Sequence, residues 1–331
     1  LERIAEDPIL KNVKIIAEPW DAAGAYELGS FSERRWASWN GKFRDEVRCF
    51  WRGDDGMLGS FASRIGGSAD IYSKSGKEPG SSINFITCHD GFTLNDLVSY
   101  NGKHNEANGE NNQDGINDNH SGNYGAEGGT QDAAIESIRK RQIKNFLLTL
   151  MVSRGVPMLL GGDEFRRTQG GNNNAYCQDN ATSWYDWNCL EQHKEIHRFV
   201  RGMIAFRQMH PVLSKEQFYT DADIRWFSSR GSLPNWADPQ EKRLACLIAD
   251  GKHPGIYLMF NAGTDEVDFD LPPAPQRARW HLAADTSGDT SHDWFADGEE
   301  PSLENSQTYH MARQASAILV AHMENYENTK L

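Results

Sequence analysis

Two short apolar runs in this chain end on carboxylates. Val13-Lys14-Ile15-Ile16-Ala17 leads into Glu18, Pro19 and Trp20; Ile83-Asn84-Phe85-Ile86-Thr87-Cys88 leads into His89 and Asp90. A third run, Val156 to Leu160, passes through Gly161-Gly162 to Asp163 and Glu164. β-Branched runs punctuated by proline or glycine read as buried parallel strands. A strand that delivers an acid to its C-terminal end is how a (β/α) barrel arms its active face. Two such acids on one rim suit glycoside hydrolysis. There one carboxyl group protonates the leaving oxygen, while others stabilise or attack an oxocarbenium-like centre. On spacing alone the bland alternative stays open, since rim carboxylates serve many barrel chemistries and some are only satisfied strand-end acids.

The elements that would position these groups follow from the spacing. Glu18 and Asp90 are 72 positions apart, and Asp90 and Asp163 are 73 apart. A barrel takes roughly 30 residues per βα unit, so each gap should hold two units. The three runs are then expected to be alternate strands of one barrel. Apolar periodicity predicts helices over 43–51, 91–100, 131–152 and 189–209, the last closed by Pro211. Between them, 101–130 and 166–186 are polar loops rich in Asn, Gly and Asp. After residue 214 the texture changes to short apolar or alternating runs punctuated by Pro, Gly and Asp, which predicts an antiparallel β domain. The expected organisation is 1–213 for the barrel part and 214–331 for an antiparallel β-sandwich.

Composition narrows the function classes. The chain has 331 residues, 38% of them hydrophobic, with 10 Trp, 15 Phe and 10 Tyr, enough for a large core. Its net charge of -13 disfavours nucleic acid and anionic membranes as partners. No run has the length of a membrane span. The five cysteines include no C-x-x-C pair, which predicts reduced thiols and a cytoplasmic setting. Residue 1 is Leu, and the first strand comes only about a dozen residues later, so the chain is expected to be part of something longer.

Aromatics crowd the proposed rim: Trp20, Tyr26, Trp36, Trp39, Phe92, Tyr100, Tyr176, Trp184 and Trp187. Flat apolar faces beside Asn, Asp and His suit a sugar ring, with its C–H faces and hydroxyl edge, although any one aromatic is more often core. No metal or cofactor is expected. The run Asp114-Gly115-Ile116-Asn117-Asp118-Asn119 does not have the calcium-loop spacing, and no H-E-x-x-H or phosphate loop is present.

Taken together, these residues resemble the α-amylase clan, glycoside hydrolase family 13, and within it the bacterial glycogen debranching and isoamylase group. The clan is marked by Ile16-Ala17-Glu18-Pro19-Trp20-Asp21 and Thr87-Cys88-His89-Asp90-Gly91-Phe92, with Trp39 to Asp45 and Gly162-Asp163-Glu164 beside them. The subgroup is marked by His104-Asn105-Glu106-Ala107-Asn108-Gly109-Glu110 and by Gly171 to Asp179. The resemblance implies Glu18 as general acid/base after the fifth barrel strand and Asp90 as transition-state stabiliser after the seventh. It implies His89 at the cleavage subsite, and substrate contacts from Trp20, Phe92, Asn105, Glu106, Asn173 and Tyr176. Glu164, in the eighth-strand motif, would support rather than react. The implied activity is retaining cleavage of α-1,6 branches in glycogen, amylopectin or limit dextrin.

One part of the pattern is missing. The family nucleophile, an aspartate after the fourth strand in a Gly-Phe-Arg-Phe-Asp type motif, has no counterpart before Glu18; the only Phe-Asp, Phe269-Asp270, lies in the β domain. The chain is therefore expected to be the second half of a (β/α)8 TIM barrel, about strands five to eight, with the terminal sandwich. Its expected partner is the missing amino-terminal half, without which it should be inactive. The alternatives are α-1,4 hydrolysis or glucan transfer within the clan, or a non-catalytic α-glucan-binding remnant.

Overall fold

The computed structural model describes residues 1–21, 24–32, 34–275 and 278–323. The first part runs α1 (Glu2–Glu6), β1 (Ile15–Ala17), β2 (Trp36–Trp39), α2 (Gly41–Arg52), α3 (Leu58–Ile65), α4 (Ala69–Tyr72), β3 (Ser82–Asn84), α5 (Leu94–Leu97), α6 (Ala133–Val152), β4 (Val156–Pro157), α7 (Asn188–Gln192) and α8 (Lys194–Met209). The four strands form one sheet in the order β1-β2-β3-β4, every pair parallel, with Ile15 opposite Trp36, Ser38 opposite Ser82 and Ile83 opposite Val156.

This order corrects the expectation of three alternate strands. One strand, β2, separates β1 from β3, but β3 and β4 are direct neighbours. The 73 positions between Asp90 and Asp163 hold a long polar loop and the single long helix α6, not two βα units. The order agrees instead with the fifth, seventh and eighth positions that the resemblance implies. The strands are also shorter than the apolar runs. Ile86 lies beyond β3, and its carbonyl accepts from Arg48 Nε (2.9 Å) and an Arg48 terminal nitrogen (2.6 Å) in place of a sheet neighbour.

Local chemistry sets the helices. Asn40 caps α2 by accepting from Phe43 N at 2.9 Å, and Gly53 ends it at φ 88°, a left-handed turn that suits glycine. Phe43, Val47, Phe50 and Trp51 bury one face of α2, and Phe50 stacks on Phe61 of α3 at 3.7 Å. Asp132 caps α6 by accepting from Ala134 N at 2.8 Å. From Gln142 to Val152 every residue of α6 is buried, including Gln142, Asn145 and Thr149. The helix expected over 189–209 is two pieces, broken at His193.

The second part contains β5 (Ile224–Phe227), β6 (Arg243–Ile248), β7 (Ile256–Asn261), β8 (Val267–Asp270), β9 (Arg279–Asp285), β10 (Thr308–Met311) and β11 (Ala315–His322). Five strands pair antiparallel in the order β5-β6-β7-β11-β9, and β8 and β10 form a separate antiparallel ribbon. Both faces of the five-stranded sheet are covered. Leu244, Cys246, Ile248, Leu258, Phe260 and Ile318 join the helices in one core. Their neighbours Ala245, Leu247, Tyr257, Met259 and Leu319 face the opposite way, toward Phe269 and Met311 of the ribbon. Burial on both faces is why these strands read as continuous apolar runs.

The core on the helical side crosses the boundary expected at residue 213 without interruption. Polar links cross it too. Asn145 of α6 donates to Gln314 O (2.8 Å) and accepts from Thr286 Oγ1 (2.6 Å) and Ser316 Oγ (2.9 Å). Asp293, fully buried after β9, pairs with Lys144 Nζ of α6 (2.7 Å) and with Arg198 of α8. Five cysteines are free among the described residues. Among those residues no helix is long and apolar enough to cross a membrane.

Candidate active site

Glu18, His89 and Asp90 meet. Glu18 follows β1, and His89 and Asp90 follow β3, so one end of the parallel sheet delivers all three. One side-chain donor atom from each lies within 4.8 Å of the others, and all three side chains are exposed. His89 Nε2 is 3.4 Å from Asp90 Oδ2. The arrangement presents two carboxylates and an imidazole to one point in solvent. Such a set can move a proton and steady a developing positive charge. It could equally surround one divalent cation.

An aromatic wall stands beside the triad. Trp39, the last residue of β2, meets His89 edge-on at 5.6 Å. Phe85 is 5.7 Å from Trp39, and Trp20 is 6.4 Å from it. Tyr26 stacks on Trp20 at 6.1 Å, where the two residues also form a backbone bridge. The Arg44 guanidinium lies against Trp20 (5.9 Å) and Phe85 (5.7 Å), held in plane by two bonds to Asp45 at 2.6 and 3.1 Å. A hollow of about 150 Å³ opens beside Asp90, lined by Arg44, Asp45, Arg48, Asn119 and His120. The sequence placed Trp39 among the rim aromatics and Trp39 to Asp45 among the stretches of the resemblance, but gave no site role to Phe85 or Arg44. Phe85 falls in the middle of an apolar run, and Arg44 is one of several charges in an amphipathic helix.

Beneath the triad the support is buried and polar. Arg48, buried in α2, ties Ile86 O to Asn119 O (3.0 Å) and so holds the end of β3 against the polar loop; burial lowers its guanidinium to about 10. Asp163, 1% exposed after β4, accepts from Leu94 N at 2.9 Å and from Thr87 Oγ1, gripping both sides of the His89-Asp90 turn. Burial pushes its carboxyl up to about 7, against the pull of those two hydrogen bonds. Asp96, also buried and raised by burial, accepts from Gln169 N (2.8 Å), Gly171 N (3.2 Å) and Thr168 Oγ1.

Three residues expected to touch substrate lie in the interior. Phe92 is fully buried in the main core, 6.2 Å from Tyr100, because the chain turns inward after Gly91 to start α5. Asn105 and Asn173 pair with each other. Asn105 Nδ2 donates to Asn173 Oδ1 (2.8 Å), and Asn173 N donates to Asn105 Oδ1 (2.9 Å). Asn173 Nδ2 continues to Ile116 O (2.7 Å) and Asn119 Oδ1 (2.9 Å), while Asn173 O accepts from Gly91 N (2.9 Å), next to Asp90. A buried amide needs such partners, and the asparagine-rich loops supply them to one another. Gly115 passes so close that a Cβ there would lie 2.2 Å from Asn173 Oδ1. The Asn-Gly-rich loop is thus a hydrogen-bonded seam. Glu106 and Tyr176 lie on its exposed side, Tyr176 at 81% exposure, and Trp20 is half-buried at the triad.

Residues 225–326 match the family model described as "Isoamylase 1-3, C-terminal". The chain is 45% identical over 301 residues to isoamylase 3, chloroplastic, of Oryza sativa subsp. japonica, covering 90% of this chain and 38% of that protein. It is 42% identical over 309 residues to the glycogen operon protein GlgX homolog of Mycobacterium tuberculosis, covering 86% of this chain and 43% of that protein. The chain is thus a relative of the isoamylases and GlgX proteins. It spans about two-fifths of the length of those relatives. Its fold is similar to that of a pullulanase from Bacillus acidopullulyticus, with a TM-score of 0.66 at 18% identity, over 94% of this chain and 34% of that one. A pullulanase from Bacillus subtilis complexed with maltose gives the same score over 96% of this chain and 40% of its own.

Proposed function

We propose that this chain carries the acid/base half of a debranching glycosidase, acting in a cytoplasmic setting on α-1,6 branches of glycogen, amylopectin or limit dextrin by a retaining mechanism. The observation that carries the reading is the convergence of Glu18, His89 and Asp90 at one end of the parallel sheet, beside Trp39 and Trp20. Glu18 gives its proton to the glycosidic oxygen as the bond breaks and later takes one from water. Asp90 stays ionised against the positive charge that grows on the sugar carbon. His89, pressed edge-on to Trp39, holds a hydroxyl of the same sugar ring, and Trp20 lines the approach. Glu106 and Tyr176 meet more distant sugar units. Asn105, Asn173 and Phe92 act from beneath, by fixing the loops that hold Asp90.

In this reading β1 to β4 are strands five to eight of a (β/α)8 barrel, residues 1–213 are its second half, and 214–331 are the terminal β-sandwich. The parallel order and the coverage of the longer relatives support it. The nucleophilic carboxylate then comes from the other half. Incubation with glycogen, with and without the amino-terminal half of a relative, tests this by release of linear maltooligosaccharides. Release only in the mixture, abolished by Glu18→Gln, is expected. Release by the chain alone overturns the half-barrel reading, release that survives Glu18→Gln overturns the assignment of Glu18, and no release from the mixture overturns the proposed activity.

A further inference from the structure

A second cleft lies away from the triad and shares none of its residues. It has a volume of about 420 Å³ and opens between α3–α4 and the edge strand β5 of the five-stranded sheet. Its size comes from small side chains. Gly59, Ala62, Gly66 and Ala69 form the helical wall, and a Cβ at Gly59 would meet nothing within 4 Å. The opposite wall is aromatic. Trp226 points to the helical side of the sheet, as Ile224 does, but lies on an edge strand where the helices leave it half-exposed. Trp236, in the loop between β5 and β6, stands across it at 80° with centroids 6.2 Å apart and is 47% exposed. The two indoles form a corner at the cleft.

The rim fixes the class of ligand. The polar groups at the cleft include the carboxylates of Asp70 and Asp221 and the hydroxyls of Ser63, Thr220 and Tyr219, the last donating to Val212 O; no lysine or arginine lines it. Asp70 is held in place by Arg64 behind it, at 2.5 and 2.6 Å. Ser63 and Thr220 already donate their protons, to Gly59 O and Asp223 Oδ2, so both offer oxygen lone pairs. A rim of acceptors with no cation repels phosphates and carboxylates and calls for a neutral ligand rich in O–H donors. Perpendicular indole faces call for flat C–H surfaces. A hexose polymer has both, and the volume is within the range of small-ligand sites.

We infer that the cleft between α3–α4 and β5 is a second, non-catalytic binding site for neutral α-glucan chains. The inference rests on the proposed reading in one respect, the choice of glucose as the sugar. A branched polymer offers many chain ends to one molecule. A chain end held here converts capture of a branch at the triad into an intramolecular event at high effective concentration.

The test is affinity electrophoresis of the 331-residue chain through gels containing glycogen, with maltoheptaose as soluble competitor. Retardation is expected, with apparent affinity about tenfold weaker for Trp236→Ala, the loss of one aromatic stacking contact. Gly59→Gln, which fills the cleft and removes no aromatic, should weaken it comparably and guards against a folding defect. Ile9→Ser, at an exposed side chain outside both sites, should leave retardation unchanged. Retardation untouched by both cleft variants overturns the inference, as does no retardation at all. Retardation lost in Glu18→Gln and kept in Trp236→Ala places glucan binding at the triad alone. A positive result here with no hydrolysis in the mixing assay would keep the cleft and reject the enzyme reading, so the two can fail separately.

Discussion

Replacing Asp163 by asparagine should make the protein more stable at alkaline pH. The side chain is buried, and burial lifts its carboxyl from the ordinary carboxylate range to about 7. The native state therefore holds a proton between about pH 4 and pH 7 that the unfolded chain has released. Since the native state binds the extra proton, stability falls as pH rises through that window and levels off above it. The slope is about 1.4 kcal/mol per pH unit for one proton, or about 4 kcal/mol across the window. Asparagine has no such cost. Its Oδ1 can accept from Leu94 N and its Nδ2 can donate to Thr87 Oγ1, so both contacts of the aspartate survive. Urea unfolding of both proteins at pH 5, 6, 7 and 8, followed by circular dichroism, isolates the effect, because every other titrating group is common to the two. The variant should gain about 3 kcal/mol on the wild type between pH 5 and pH 8. Parallel pH profiles would refute the reasoning, because they would mean that Asp163 is ionised in the folded protein throughout.

Three further outcomes follow from the packing. Asp293→Asn leaves Lys144 and Arg198 without their shared carboxylate, and loss of such a buried partner costs about 3–5 kcal/mol; the urea midpoint should fall, in a single transition for helices and sheet alike. Asn173→Ala leaves Asn119 Oδ1 without its donor, a loss of about 1–3 kcal/mol if it stays buried, and removes one of two bonds from Asn105 Nδ2 and from Ile116 O; it should bring rapid hydrogen exchange to residues 101–120 while α6 stays protected. Gly202→Ala would set a methyl group 2.4 Å from the Trp294 ring, so the ring must move; the melting midpoint should drop by the equivalent of about 1–3 kcal/mol.

The triad was legible in the sequence because strand ends announce themselves. An apolar run, an acid and a proline or glycine mark both the element and the rim, and Glu18, His89 and Asp90 meet as that signal implied. What lies under the rim was not legible, for reasons of chemistry. Asn105 and Asn173 carry the same side chain whether they face a sugar or each other, and only the loop path shows that each satisfies the other. Asp163 announced itself as a rim acid by the same pattern as Asp90, yet its neighbour in space is Thr87, 76 positions away. Strand counting failed for a related reason. Spacing cannot tell 73 residues of two βα units from a polar loop and one long helix, because both have room for the same length of chain. The boundary near residue 213 shows the limit from the other side. The change of texture there is real, since antiparallel strands begin with β5, but apolar alternation does not say what each face will meet. Leu244, Cys246 and Ile248 could have closed a sandwich of their own; instead they lie in the same core as Phe61 and Phe260, which meet edge-on at 5.1 Å. A sheet that shares its core with α2, α3, α6 and α8 braces the helices that carry Arg44 and Arg48, and through Arg48 the strand end that carries Asp90. A defect in the β domain should therefore reach the triad through α2.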